Sequence, residues 1–205
     1  MLNVAKAPQD KSFKSKIQKE WRKFRRTNKE EDHVEFRPED VAEALACVKL
    51  GTASGYDNIQ PELLKHTGPR AQGWLARFFT RILATKKLPK IWKRAKVIAL
   101  PKPGKDHKLP SSYRPISLLS VSYKLLERLI LNKIMPSVEN VLSVDQAGFR
   151  PGRSCCDQVL ALTTYIENGF QSNLKTGVVF LDLTAAYDTV WHQGLLVKLS
   201  RQQPN

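Results

Sequence analysis

No stretch of the sequence approaches the roughly 18 uninterrupted apolar residues that a membrane-spanning helix needs. The opening MLNVAKAPQDKS lacks the apolar core of a secretory signal. Cysteine is scarce, with three in 205 residues, and two of them, Cys155 and Cys156, are adjacent. That spacing suits neither a disulfide framework nor a zinc site. Acids are few: 19 Asp and Glu stand against 34 Lys and Arg, a formal net charge of +15. No two aspartates are adjacent, and the last acid is Asp188. There is no internal repeat and no low-complexity region. The expectation is a reduced, intracellular protein, nuclear or cytoplasmic, with no membrane partner.

At 41% hydrophobic and 26% charged, the chain is long enough for one cored domain and part of a second. The positive excess points to a polyanion, and it is unevenly spread. Lys6 to Lys29 holds ten basic residues against two acids, Asp10 and Glu20. Within it Phe13, Ile17 and Trp21 recur every four residues, with Phe24 three further on. One face of a helix would be apolar and the others basic. Two readings are open: a solvated helix packed on a neighbour, or a basic helix whose Arg22, Lys23, Arg25 and Arg26 touch nucleic-acid phosphates.

Pro38, Glu39 and Asp40 suit a helix N-terminus, with Val41, Leu45 and Val48 as its stripe and Gly51 as its stop. A turn-rich stretch precedes a short helix with Leu63 and Leu64. Pro69 to Lys86 reads as an apolar helix burying Trp74, Leu75, Phe78, Phe79, Ile82 and Leu83. KVIAL, Lys96 to Leu100, is β-like and breaks at the loop from Pro101 to Asp106. Tyr113 to Leu119 suits a second strand, and Val121 to Met135 a helix. Ser154 suits an N-cap for a helix to about Asn173, with Cys155 and Cys156 packed at its start. Gly177 to Leu183, GVVFLDL, is the clearest strand, and its continuous apolar run predicts burial on both faces. A short helix with Leu195, Leu196 and Leu199 follows.

Asp182 stands near the end of that strand, where ligands meet a sheet edge. A carboxylate inside an apolar run is costly unless a cation partners it; the alternative is a cap on the next turn.

Residues Val179 to Val190, VFLDLTAAYDTV, resemble the first catalytic motif of reverse transcriptases, in the form carried by non-LTR retrotransposons such as the jockey-type mobile elements. Four further blocks resemble the family in order: Ser54 to Ile59 with Pro61, Val97 to Asp106, Ser112 to Leu119, and Gln146 to Ser154. Group II intron maturases fit less well at the Tyr113–Ser117 block and the AAYDTV ending.

The resemblance implies an α+β right-hand polymerase: a basic helical extension (1–37), fingers (38–175) and the beginning of the palm (176–205), truncated before the Tyr-x-Asp-Asp motif. It implies RNA-directed DNA synthesis from dNTPs on an RNA template and DNA primer. The rest of the polypeptide would supply the remaining palm, the thumb and an endonuclease. It implies two Mg²⁺ ions in the complete enzyme, with Asp182 a catalytic ligand and the Leu183 carbonyl its helper. Tyr187 would screen the sugar, or else simply pack. Lys102 and Arg114 would contact the triphosphate. Lys105 would touch the template backbone or simply be solvated, Gln146 and Arg150 would touch the template or the nucleotide, and Asp188 would orient a turn. The resemblance further implies that this stretch alone does not polymerise. A non-catalytic nucleic-acid-binding remnant is the rival from another class.

Overall fold

Helix starts and stops in this chain are set by local chemistry, and the packing then separates two units. The computed structural model describes residues 10–27, 34–183 and 186–201. One unit is Glu30–Met135; the other comprises Met1–Lys29 and Pro136–Asn205.

In the first unit, α2 (Pro38–Ala46) begins as the sequence predicts. The Arg37 N–H donates to the Asp40 carboxylate at 2.9 Å, satisfying a donor the helix cannot use. It ends at Ala46 rather than Gly51. Lys65, the last residue of the short α3 (Pro61–Lys65), donates from Nζ to the Ala46 and Val48 carbonyls at 3.2 and 2.9 Å. Gly51 instead occupies a turn at φ +68°, where its N–H meets Glu62 at 2.6 Å.

Helix α4 (Pro69–Thr85) packs against α2, burying Leu75, Ala76, Phe79 and Ile82. Trp74, expected on that buried side, is 56% exposed; one residue before Leu75, it lies a quarter-turn off the packed face. Strands β1 (Lys96–Pro101) and β2 (Tyr113–Leu118) pair antiparallel, from Lys96 opposite Leu118 to Pro101 opposite Tyr113. Helix α5 (Val121–Glu139) buries Val121, Leu125, Leu126 and Leu129. These helices meet in one apolar core with Phe36, Leu64 and Trp92. The mixture of helices and a small antiparallel sheet is an α+β fold.

In the second unit the basic segment is helical, α1 (Lys11–Thr27), and packs against α7 (His192–Ser200). Ile17 and Val197 are buried there, Phe13 meets Trp191 with centroids 6.4 Å apart, and Glu20 pairs with Arg201. Helix α6 (Cys155–Gln171) starts at the expected cap: the Asp157 N–H donates to Ser154 Oγ at 3.3 Å, and the Ser154 N–H to the Asp157 carboxylate at 2.8 Å. None of its residues is buried, so Cys155 and Cys156 are exposed instead of packed.

The expected strand Gly177–Leu183 is not one. Val179, Phe180 and Leu181 are 82, 85 and 90% exposed, and the segment carries no regular structure. A strand exists by pairing, and among the described residues β1 and β2 pair only with each other. The apolar run records a demand for burial that no neighbouring strand here meets. Among the described residues no helix is long and apolar enough to cross a membrane.

Candidate functional site

The β1–β2 hairpin stands out into solvent: every residue of β1 is exposed. A two-stranded ribbon is marginal alone, so its base needs anchoring. Residues 54–59 supply the anchor. Gly55 lies so close to the end of β2 that a Cβ there would come within 2.5 Å of the Leu119 carbonyl carbon and the Ser120 nitrogen. Ser120 Oγ donates to the Asp57 carboxylate at 2.5 Å. Lys96, the first residue of β1, donates to Asn58 Oδ1 at 2.8 Å, and Arg94 lies 5.6 Å from the Tyr56 ring centroid. Sequence reasoning noticed this block but gave it no role. Its signal was the Ser-Gly-x-Asp-Asn spacing, in which only glycine fits the close approach.

Register then decides what the hairpin presents. Leu100 lies opposite Arg114, and the Lys102 N–H extends the ladder by donating to the Ser112 carbonyl at 2.8 Å. Side chains alternate along a strand, so Lys102 and Arg114 share one face as diagonal neighbours. Lys102 Nζ donates to the Ser111 carbonyl at 2.7 Å, which steadies the ammonium beside the turn. Arg114 is exposed, and its guanidinium makes no hydrogen bond or ion pair among the described residues. Lys105 is exposed in the connecting loop.

The second unit holds the remaining expected residues. Asp182 and Leu183 are exposed. Tyr187, 75% exposed, meets the Phe149 ring edge-on at 6.2 Å. Phe149 was not singled out from sequence; its backbone sits at φ +62°, and its ring is 94% exposed. A carboxylate and a carbonyl are hard oxygen donors of the kind Mg²⁺ takes, but two donors fall short of an octahedral shell. No group of three or more His, Cys, Asp or Glu side chains converges among the described residues. The described residues therefore do not by themselves fit a two-metal centre.

Gln146 bends back to the Gly148 carbonyl at 3.2 Å. Arg150, expected at the template, is spent internally. Its guanidinium donates twice to Glu139, at 3.0 and 2.5 Å, and to the Ser143 and Gln146 carbonyls at 2.7 and 3.2 Å. With its side chain 9% exposed, Arg150 ties the loop after α5 to that helix. On α1, Arg22, Lys23, Arg25 and Arg26 are exposed as expected. Lys19, Arg22, Lys23 and Arg26, spaced for one helix face, line a shallow recess of about 450 Å³.

Comparison with known proteins gives this arrangement a context. The profile of the family described as reverse transcriptase (RNA-dependent DNA polymerase) matches residues 100–205. The chain is 39% identical, over 171 residues, to a probable RNA-directed DNA polymerase from transposon BS of Drosophila melanogaster, covering 82% of this chain and 19% of that protein. It is 33% identical over 168 residues to the RNA-directed DNA polymerase from mobile element jockey of the same species, covering 81% and 18%. For the probable RNA-directed DNA polymerase from transposon X-element of Drosophila melanogaster the figures are 33% over 171 residues, 82% and 19%. The chain thus spans about a fifth of the length of these curated relatives.

Proposed function

The chain belongs to the reverse transcriptase (RNA-dependent DNA polymerase) family, and from that membership we propose that it is the fingers and the first part of the palm of a non-LTR retrotransposon polymerase. That polymerase copies an RNA template into DNA from a primer 3′ end, using dNTPs. Residues 38–175 act as fingers, 176–205 open the palm, and 1–37 form a basic extension that holds template phosphates through α1. The work belongs to the interior of a cell, where three free, exposed thiols stay reduced.

The observation that carries the reading is the hairpin register, which turns Lys102 and Arg114 to one face with Arg114 unpaired. Two cations at diagonal spacing, about 7–8 Å apart at the backbone, match the extended charge of a triphosphate. The Arg fork engages two oxygens, and the Lys adds a point charge. Lys105 in the loop serves the template strand, and Gln146 takes the same role. Tyr187, braced edge-on by Phe149, screens the sugar. Asp182 and the Leu183 carbonyl contribute oxygen ligands toward a divalent cation; the remaining ligands come from outside the described residues. The absence of a converging carboxylate group among those residues supports a second, narrower statement: residues 1–205 alone bind nucleic acid without polymerising.

Steady-state primer extension by the whole polymerase tests the hairpin assignment. Arg114→Ala should raise KM for every dNTP by about tenfold to a hundredfold, the worth of a charge-assisted hydrogen bond, with primer–template binding unchanged. An unaltered KM removes Arg114 from the triphosphate.

A further inference from the structure

The solvent face of α4 carries a second cationic strip that neither α1 nor the hairpin accounts for. Arg70, Trp74, Arg77 and Arg81 follow at steps of four, three and four. At 100° per residue they share an arc of about 60°. All three arginines are exposed, and α4 contains no Asp or Glu. None of the three guanidiniums enters a hydrogen bond or an ion pair among the described residues.

Trp74 is more than half exposed, yet its ring is held. It lies over Phe78 with centroids 5.0 Å apart and planes 11° apart. Phe78 meets Trp92 edge-on at 5.9 Å, and Trp92 is buried in the core. The indole is thus the outermost ring of an aromatic stack rooted in the interior, fixed before any ligand arrives.

We propose that this face of α4 binds single-stranded nucleic acid, with Trp74 stacking on a base and Arg70, Arg77 and Arg81 neutralising phosphates along the strand. The proposal rests on the nucleic-acid reading above and adds a separate surface to it. An acidic protein would be served by the arginines alone. A pre-set, open indole between them suits a ligand that alternates negative charge with flat π-faces. A duplex hides those faces in its stack, so the ring selects single strands. The strip from Arg70 to Arg81 covers about 16 Å of helix, room for on the order of five stacked nucleotides at about 3.4 Å each.

Fluorescence anisotropy of the 205-residue chain, with labelled single-stranded RNA, single-stranded DNA and RNA duplex at several salt concentrations, tests it. Trp74→Ala should weaken both single strands on the order of 5- to 150-fold and leave the duplex and the salt slope unchanged. Trp74→Tyr, which keeps a stacking ring, should restore most of the loss. The triple variant Arg70→Ala, Arg77→Ala, Arg81→Ala should reduce the log–log salt slope for single strands by about two. Heparin, a polyanion without bases, should bind wild type and Trp74→Ala alike; an equal loss for heparin overturns the stacking role. If both α4 variants bind single strands as the wild type does, while charge reversal at Arg22, Lys23, Arg25 and Arg26 abolishes binding, the α4 proposal falls and the nucleic-acid reading stands. If the wild type binds no nucleic acid, both fall.

Discussion

Helix α5 and the segment 177–183 are both rich in aliphatic residues, and they meet opposite fates. Leu125, Leu126 and Leu129 are at most 2% exposed, whereas Val179, Phe180 and Leu181 are at least 82% exposed. The difference is not in the residues but in what stands beside them. Helix α5 satisfies its own backbone, so it needs only an apolar surface, and α2, α4 and the Trp92 turn provide one. A strand must borrow its hydrogen bonds from another strand before its side chains can be covered. Apolar pattern therefore reports demand for burial, while structure reports supply. The same contrast divides the units: the core cluster lies wholly within Glu30–Met135, and the second unit buries Ile17 and Val197.

The comparison breaks first under core truncation. Phe79→Ala, at 0% exposure, should cost about 3–5 kcal/mol in urea unfolding, while Phe180→Ala in the same chain should cost close to nothing. A comparable loss at Phe180 would mean that the segment is covered after all. The anchor of the hairpin comes next. Gly55→Ala pushes a Cβ into the backbone of Leu119 and Ser120 and should cost about 1–3 kcal/mol. Its effect on binding should exceed that of Gly104→Ala in the exposed turn, where a Cβ meets nothing within 4 Å and only the backbone's φ of +68° resists it.

In the open region, Tyr187→Val in the whole polymerase should raise rNTP use relative to dNTP about tenfold or more and spare dNTP incorporation. An unchanged ratio makes the ring a packing group. The smallest effect belongs to Asp40 in the packed unit. Its carboxyl is held below the ordinary carboxylate value, chiefly by the Arg37 N–H; burial pushes it up, and Lys133 and the Arg37 charge draw it down again. A lowered carboxyl stabilises fully above its ordinary range and ceases to as pH falls through the lowered value. Asp40→Asn should thus cost about 1 kcal/mol near neutrality, a few degrees of Tm, with the deficit closing in strong acid.

Much of this could be read from the chain because it depends on neighbours in sequence. Pro38 with Asp40, Ser154 with Asp157, and the β-like runs at Lys96 and Tyr113 are local devices, and each element appears where those residues place it. Gly51 misled because Lys65, fourteen residues on, supplies the stop for α2. Trp74 misled because hydrophobicity alone does not say which of two adjacent residues faces the core. Arg150 looked like a ligand-binding cation until Glu139 and two carbonyls were seen to occupy it. The Ser54–Ile59 block was visible in the sequence but its role as a clasp was not, because its partners, Lys96 and Ser120, are remote along the chain. GVVFLDL was misread for the reason the opening comparison gives: among the described residues no strand pairs with it.

The central proposal is that the exposed segment around Asp182 supplies this chain's anionic oxygen ligand for the divalent cation, beside the phosphate contacts given to the hairpin. Primer extension with Mg²⁺ by the whole polymerase, comparing wild type with Asp182→Asn, tests it most directly. The account predicts extension no greater than background, with primer–template binding and thermal stability unchanged, because a neutral amide does not replace an anionic oxygen ligand. Near-normal extension by Asp182→Asn would contradict it.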